Sequence, residues 1–154
     1  MTVAFLGNQV ASELHRKFLK PQGFRKYGAT FVREREGFIE TYNIQGSPWN
    51  SGAEPWEFYV NVGVRFPDIA PLRGVKLTPT YVHASGRSNS ILPGTPLSFK
   101  VTEDSVSQVA ESLWRIIVQM SENLPSIIQV AYRRARSGYY SFLPVPDTWE
   151  KFEL

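Results

Sequence analysis

Three extended segments between Gly23 and Gly63 constrain the fold of this chain more than any other feature. Apolar and polar residues alternate in the runs GFRKYGATFVRERE, GFIETYNIQGSPWN and PWEFYVNVGVRF. A period of two is typical of antiparallel strands that bury one face. We therefore expect strands at about 29–35, 38–45 and 56–66, with the even-numbered residues of the last strand buried together.

The flanking segments predict helices. A first helix is expected to begin near Asn8, a candidate N-cap, and to end before Pro21. After Thr102, apolar residues recur every three or four positions up to Leu124, which indicates an amphipathic helix of about five turns. Because proline is disfavoured inside a helix but suits its first position, a separate short helix is expected from Pro125 to about residue 136.

The middle of the chain predicts two shorter strands, at about 80–84 and 97–101. They flank a segment rich in Gly, Ser, Asn and Pro at 85–96, which we expect to be a mobile loop. The order of elements predicts the α+β class, with an N-terminal helix, an antiparallel sheet of about five strands and C-terminal helices packed on one sheet face. The length of 154 residues favours a single domain over 1–154.

Composition excludes several classes of protein. With 42% hydrophobic and 20% charged residues, the chain is too apolar to be disordered. It contains no cysteine, which excludes disulfides, thiolate metal sites and a cysteine nucleophile. The sequence has no uncharged apolar stretch of about 18 residues that could span a membrane. We expect a soluble, cytoplasmic protein without a membrane partner.

The basic residues suggest one polyanion site, which we consider the weaker interpretation. Arg133, Arg134 and Arg136 lie close together near tyrosines, a pattern that could contact phosphates and stack on bases. Cations in the last turn of a helix also complement its dipole, and Gly138 just beyond is a usual stop. We favour the helix-end interpretation, so nucleic acid is not the expected partner.

The sequence shows no recognisable catalytic motif. His15 and His83 are the two histidines, and neither has the spacing of a metal site. Nucleophile-elbow and phosphate-loop motifs are absent from the sequence. We therefore predict no catalytic residue, no metal and no cofactor. Carboxylates such as Glu40, interspersed with Arg33 and Arg35, are interpreted as cross-strand ion pairs on a solvated face.

An amide-rich and aromatic set is the strongest candidate for a binding surface. Asn and Gln are poor strand formers, so their presence on adjacent strands suggests hydrogen bonds to a covering loop or to a partner. The loop interpretation has Asn43 and Asn61 bonding the backbone of the connection at 45–55. Trp49 and Trp56 flank this loop, either as an interaction hot spot or as core anchors. Candidate partner-binding residues are Asn43, Gln45, Trp49, Tyr59, Asn61 and Arg65.

Short motifs in the first half of the chain resemble a known family pattern. The segments LKPQGFRKYGATFVRE, YNIQGSPWN and FYVNVGVRF are similar to the bacterial family known as domain of unknown function 4304. The matching positions are Gly23, Phe24, Phe31, Arg33, Asn43, Gln45, Ser47, Trp49, Phe58, Asn61 and Gly63. The resemblance implies the fold and a bacterial origin, and it carries no catalytic assignment.

Two functions remain open from the sequence. The favoured one is a non-enzymatic protein-binding domain, such as an immunity protein that occludes a co-encoded toxin or effector, because small α+β families often include such proteins. A basic chain suits a basic nuclease target poorly. The alternative is a small-ligand-binding protein or enzyme with a pocket between sheet and helices, lined by Tyr59, Asn61, Arg65 and His83.

Overall fold

A computed structural model describes the backbone of residues 3–139 and 141–142 and the side chains of residues 5–139. Within this part of the chain, one sheet is formed by the following strands: β1 (Arg25–Tyr27), β2 (Thr30–Arg35), β3 (Phe38–Gly46), β4 (Trp56–Arg65), β5 (Ala84–Arg87), β6 (Phe99–Val101) and β7 (Ser141–Phe142). The order across the sheet is β1-β2-β3-β4-β5-β7, and β6 pairs with β4 beside β5. All pairs are antiparallel except β5 with β7. The predicted α+β class is confirmed.

The helices are α1 (Val3–Leu14), α2 (Ser88–Ile91) and α3 (Val106–Arg136). The first helix continues through a π-helical turn and a 3-10 turn and ends at Gly23, whose φ of 90° is left-handed. The predicted start near Asn8 is wrong, because the apolar stripe of α1 already includes the buried Leu6. Thr102 caps a 3-10 turn that leads into α3, with Ser105 as its reciprocal partner.

The core lies between the helices and one face of the sheet. The even-numbered side chains of β4 from Phe58 to Val64 are buried, as predicted, and so is Phe66 just beyond the end of the strand. Trp56 is partly buried at the same face. A Cβ at Gly7 or at Gly46 would come within 2.6 or 2.8 Å of the Trp56 ring, so these glycines allow the indole to fit between α1 and β3.

The long helix α3 does not end at Pro125. Leu124 and Ile127 are both buried, so the apolar stripe runs through the proline and holds the two halves against the sheet. Proline lacks an N–H, which leaves the carbonyl of Ser121 without its usual helical donor. Arg35 replaces that donor, with Nη1 3.1 Å from the Ser121 carbonyl oxygen. The predicted division into two helices is therefore wrong.

The segment predicted as a mobile loop at 85–96 contains regular structure. It includes most of β5, which pairs with β4 from Asn61↔Arg87 to Val64↔Ala84, followed by the short helix α2. The strand predicted at 80–84 therefore begins only at Ala84, where pairing with β4 starts. Ile91 is fully buried and fixes α2 to the core. The residues at 84–86 are small and show no apolar alternation, so the sequence pattern did not predict this strand.

We predict that Leu113→Ala lowers the free energy of unfolding by about 2–5 kcal/mol, because Leu113 is 1% exposed and the substitution leaves a cavity. Arg115→Ala is the matched control on the same helix. Its ion pair with Glu111 is 72% and 54% exposed, so its loss should cost about 0.5 kcal/mol or less. Urea titrations of both variants measure the difference, and equal losses would contradict the packing of α3.

Candidate functional site

The sheet has one face covered by α1 and α3 and an opposite face that we call the open face. The predicted amide set lies on this open face, because the registers match: Asn43 is opposite Asn61, and Gln45 is opposite Tyr59. Side chains of paired residues on one face are close neighbours. The structure thus brings together four of the six candidate residues.

A row of hydrogen-bonded side chains crosses the open face, and we call it the amide ladder. It consists of Thr30, Asn43, Asn61 and Arg87, one residue from each of four adjacent strands. Asn43 Nδ2 donates to Thr30 Oγ1 at 2.9 Å, and Asn61 Nδ2 donates to Asn43 Oδ1 at 3.0 Å. Arg87 Nη1 donates to Asn61 Oδ1 at 3.0 Å. The amides therefore bind one another, which explains how poor strand formers are tolerated here.

Gln45 and Tyr59 extend this surface beyond the ladder. Gln45 Oε1 accepts from Asn61 Nδ2 at 3.0 Å and from Arg87 Nη1 at 3.1 Å. The Arg87 guanidinium also lies 4.2 Å from the centroid of the Tyr59 ring, within range of a cation–π contact. Sequence reasoning missed Arg87 because it follows a run of small residues in a segment predicted to be a loop. Only the β4–β5 register places it beside Asn61.

The connection between β3 and β4 is held by Asn50, contrary to the interpretation that used Asn43 and Asn61. Asn50 Nδ2 donates to the Glu57 carbonyl, and Asn50 Oδ1 accepts from the Glu57 N–H, both at 2.8 Å. The N–H of Glu103 donates to Glu54 Oε1 at 2.9 Å, which joins the loop to the start of the C-terminal helical region. These bonds fix the base of the loop on both sides.

The two tryptophans of this region have different environments. Trp49 is 86% exposed at the tip of the loop, so it is not a core anchor. Trp56 packs on the core, with its ring 5.3 Å from that of Phe58. At this exposure, the Trp49 side chain contributes little hydrophobic stabilisation to the free protein. Exposed tryptophans of this kind are common hot spots of protein interfaces. The loop therefore presents one large, exposed aromatic side chain at the end of the sheet where β3 leads into β4.

A chain segment at 79–82 crosses the open face at the level of Gly63. Val82 lies directly over this glycine, since an added Cβ would be 2.5 Å from Val82 Cγ1. On one side of the crossing is a cavity of about 400 Å³, lined by Thr41 and by three of the ladder residues, Thr30, Asn43 and Asn61. The Thr41 hydroxyl is buried and has no hydrogen-bond partner in the described part of the chain. On the other side is a second cavity of about 340 Å³, which contains Arg65.

Arg65 does not join the other candidate residues. It follows Asn61 by four positions on β4, which separates their backbones by about 13 Å. The crossing segment lies between them, because Gly63 and Val82 occupy the intermediate level. The sixth candidate thus belongs to a different part of the open face, with a cavity of its own.

The helix-covered face contains a buried carboxylate that sequence reasoning placed in solvent. Glu40 is fully buried and accepts hydrogen bonds from four side chains. Its Oε1 is 2.6 Å from Arg33 Nε, and its Oε2 is 3.0 Å from Arg35 Nη1. Oε2 also accepts from the Ser121 hydroxyl at 2.8 Å and from the Tyr42 hydroxyl at 3.1 Å. The ion pairs are cross-strand, as predicted, but they face α3 and not water.

This network leaves Glu40 little capacity for catalysis. A carboxylate offers about four lone-pair positions, and the donors already present occupy both oxygens. Burial and the negative charge of Glu40 hold the pKa of the Tyr42 hydroxyl well above its ordinary value of 10.0. Tyr42 therefore stays protonated and acts as a donor. We assign the network a structural role.

Neither histidine is arranged as a catalytic base. His83 Nδ1 accepts from the Phe66 N–H at 3.1 Å, so Nε2 carries the proton and donates to the Ala70 carbonyl at 3.0 Å. His15 Nε2 lies 3.0 Å from the Phe24 carbonyl. No cluster of three or more metal-ligating side chains occurs among the described residues. The structure also places the open-face residues Tyr59, Asn61 and Arg65 away from any space between sheet and helices.

The arginine cluster lies at the end of α3. Gly138 adopts a φ of 84°, and its N–H donates to the Ala135 carbonyl at 3.0 Å. Tyr132 donates to Asp68 Oδ2 at 2.6 Å, and the Arg136 guanidinium lies 5.9 Å from its ring. This geometry is that of a capped helix end.

The fold and the site define an α+β domain whose sheet is covered by helices on one face and carries a polar, hydrogen-bonded surface on the other. The chain belongs to the family described as Domain of unknown function (DUF4304), which matches residues 15–129. Comparison with curated proteins and with solved structures found no match. Among the described helices, none is both long and apolar enough to cross a membrane.

We predict that Tyr42→Phe lowers the free energy of unfolding at neutral pH by about 1–3 kcal/mol, through loss of a buried hydrogen bond to a carboxylate. Above pH 10.0 the unfolded wild type loses the tyrosine proton while the folded state keeps it, so this contribution declines. The difference between wild type and variant should therefore shrink as pH rises above 10.0. Urea titrations over this range measure it, and a constant difference would contradict the raised pKa.

Proposed function

We propose that this chain is a non-enzymatic binding domain that docks a partner protein on its open face. The observation that carries the proposal is Trp49, 86% exposed on a loop whose base is fixed by side-chain hydrogen bonds. A large aromatic side chain on a loop with a fixed base has only its own side-chain torsions to order on binding. Such residues contribute most of the affinity at many protein interfaces.

The amide ladder supports the same proposal. Its side chains are oriented by one another before any partner arrives, which reduces the entropic cost of binding. Asn61 Nδ2 uses both of its N–H groups, but Asn43 Nδ2 donates only once, so it retains an N–H that could pair with a partner's polar group. A central aromatic beside preoriented polar groups has the composition of a protein interface.

The narrower form of the proposal names the partner as a co-encoded toxin or effector in a bacterial cytoplasm. The open face carries four cationic residues, Arg25, Arg65, Arg87 and Lys100, against Glu34 and Glu57, so it suits a partner with an acidic contact surface. Basic effectors such as most nucleases fit this charge poorly. A toxin-like gene beside the one encoding this chain, with co-purification of the two products, would support the narrower form.

A small-ligand function remains the second candidate. It is favoured by the 400 Å³ cavity beside the ladder and by the buried, unpartnered hydroxyl of Thr41 that adjoins it. A neutral ligand with several hydrogen-bonding groups would suit these residues. This cavity lies between the open face and the crossing segment, and its lining residues include no histidine and no charged side chain.

We predict that Trp49→Ala weakens capture of a co-encoded partner by about 2 kcal/mol or more, because a hot-spot contact is lost. Stability should be unchanged, since the side chain is exposed. Tyr139→Ala is the matched control, because Tyr139 is 68% exposed beyond the end of α3 and not on the open face. Pull-down at fixed salt with thermal unfolding of each variant measures both effects.

Asn61→Ala provides a second variant on the same surface. It removes the acceptor for Arg87 and the donor for Asn43 and Gln45, so we expect weaker capture with a folded core. Unchanged capture by both Trp49→Ala and Asn61→Ala would contradict the proposed interface. Binding to RNA or DNA that is lost on replacing Arg133, Arg134 and Arg136 would instead support the helix-end cluster as the site.

A further inference from the structure

Arg65 is a partly buried charge without a partner in the described structure. Its Nε atom is buried and makes no hydrogen bond there. None of the ion pairs between described residues includes it. Removing a charged donor from water without compensation is costly. On the other face, the partly buried Arg33 and Arg35 both meet the carboxylate of Glu40, whereas the buried Nε of Arg65 meets no acceptor in the described structure.

The cavity around Arg65 is basic at its wall and apolar at its floor. It has a volume of about 340 Å³, and Arg25 and Arg65 both line it, above Val32 and Ile39. Glu34 also lines it, two strands from Arg65 in the register Glu34↔Ile39↔Arg65. No ion pair joins Arg65 to Glu34 or to any other carboxylate of the described residues.

Arg33 reaches the same cavity but contributes little free charge to it. Its guanidinium is already paired with Glu40, at 2.6 Å through Nε. The side chains of Gln22 and Tyr27 complete the rim and can donate neutral hydrogen bonds. Arg25 and Arg65 are thus the two cations of the cavity without an ion pair, against the single carboxylate of Glu34.

We infer that this cavity binds an oxyanion, with Arg65 as the principal ligand and Arg25 as a second cation. A guanidinium presents two parallel donors that match the two oxygens of a carboxylate or of a phosphate. The deep position of Nε and the apolar floor exclude competing water from one side of the contact, which strengthens a charge-assisted hydrogen bond. The occupant is a carboxylate side chain of the partner protein, and this identification of the source rests on the proposed function.

The site is tested on the isolated protein with inorganic phosphate and with acetate as probes, at constant ionic strength set by chloride. Backbone amide resonances of Ile39 and Gly23 report occupancy by NMR. We expect saturable shifts with both probes in the wild type. Arg65→Gln should weaken phosphate binding about tenfold or more, as expected for a lost charge-assisted contact. Arg115→Gln removes an arginine on α3 and should leave binding unchanged.

The remaining variants separate a direct role from a structural one. Arg65→Lys keeps the charge but not the paired donors, so it should restore part of the affinity. Thermal unfolding of Arg65→Gln should show no loss of stability, because no described ion pair is broken. The absence of saturable shifts in the wild type, or equal shifts in Arg65→Gln, would overturn the oxyanion site.

The source of the oxyanion is tested separately by pull-down of the co-encoded partner. Arg65→Gln should weaken capture, while Trp49→Ala should leave phosphate binding unchanged. Arg65→Gln could weaken phosphate binding and yet leave capture of the partner unchanged. That result would show that the oxyanion is a free anion and not a carboxylate of the partner. Failure of the Trp49 prediction alone would count against the proposed interface and not against the oxyanion site.

Discussion

The buried carboxylate of Glu40 is the interaction on which the packing of sheet against helix depends. Its two oxygens join β2 and β3 to α3 through arginine, tyrosine and serine donors. Pro125 takes part indirectly, because it frees the Ser121 carbonyl that Arg35 then uses. A helical carbonyl without its donor and a charged carboxylate in the core are each costly alone. Here Arg35 donates to both of them. Removing Glu40 would leave Arg33, Arg35 and Tyr42 without their shared carboxylate acceptor.

This arrangement divides the chemistry of the domain between the two faces of its sheet. On the helix side, the polar groups of the network bond one another, and the Glu40 carboxylate is fully buried. On the open side, the amide ladder is satisfied internally yet remains accessible, and Arg65 has no described counter-charge. The crossing segment at Gly63 keeps the ladder and the Arg65 cavity apart. Binding is therefore expected on the open side.

The central strands could be predicted because their pattern has a single physical meaning. Alternation from Trp56 to Phe66 requires one buried face, and the structure has it. The burial of Glu40 could also have been predicted from the sequence, since Phe38 and Tyr42 are two residues away on either side and share its face. Pro125 could not be interpreted correctly, because its replacement donor comes from a side chain 90 positions earlier. The pairing of Asn61 with Arg87 likewise depends on a register that local sequence does not determine.

The amide ladder has a direction that follows from its donors. Every bond in it is donated towards β2: from Arg87 to Asn61, from Asn61 to Asn43 and from Asn43 to Thr30. Hydrogen bonds aligned head to tail polarise one another, so the row behaves as one extended dipole with a cation at its origin. A carboxylate that drew Arg87 away would weaken the Thr30 end, three strand spacings or about 14 Å distant, without moving the backbone. The donors thus give the row a polarity, with its positive end at Arg87 on β5 and its last acceptor at Thr30 on β2.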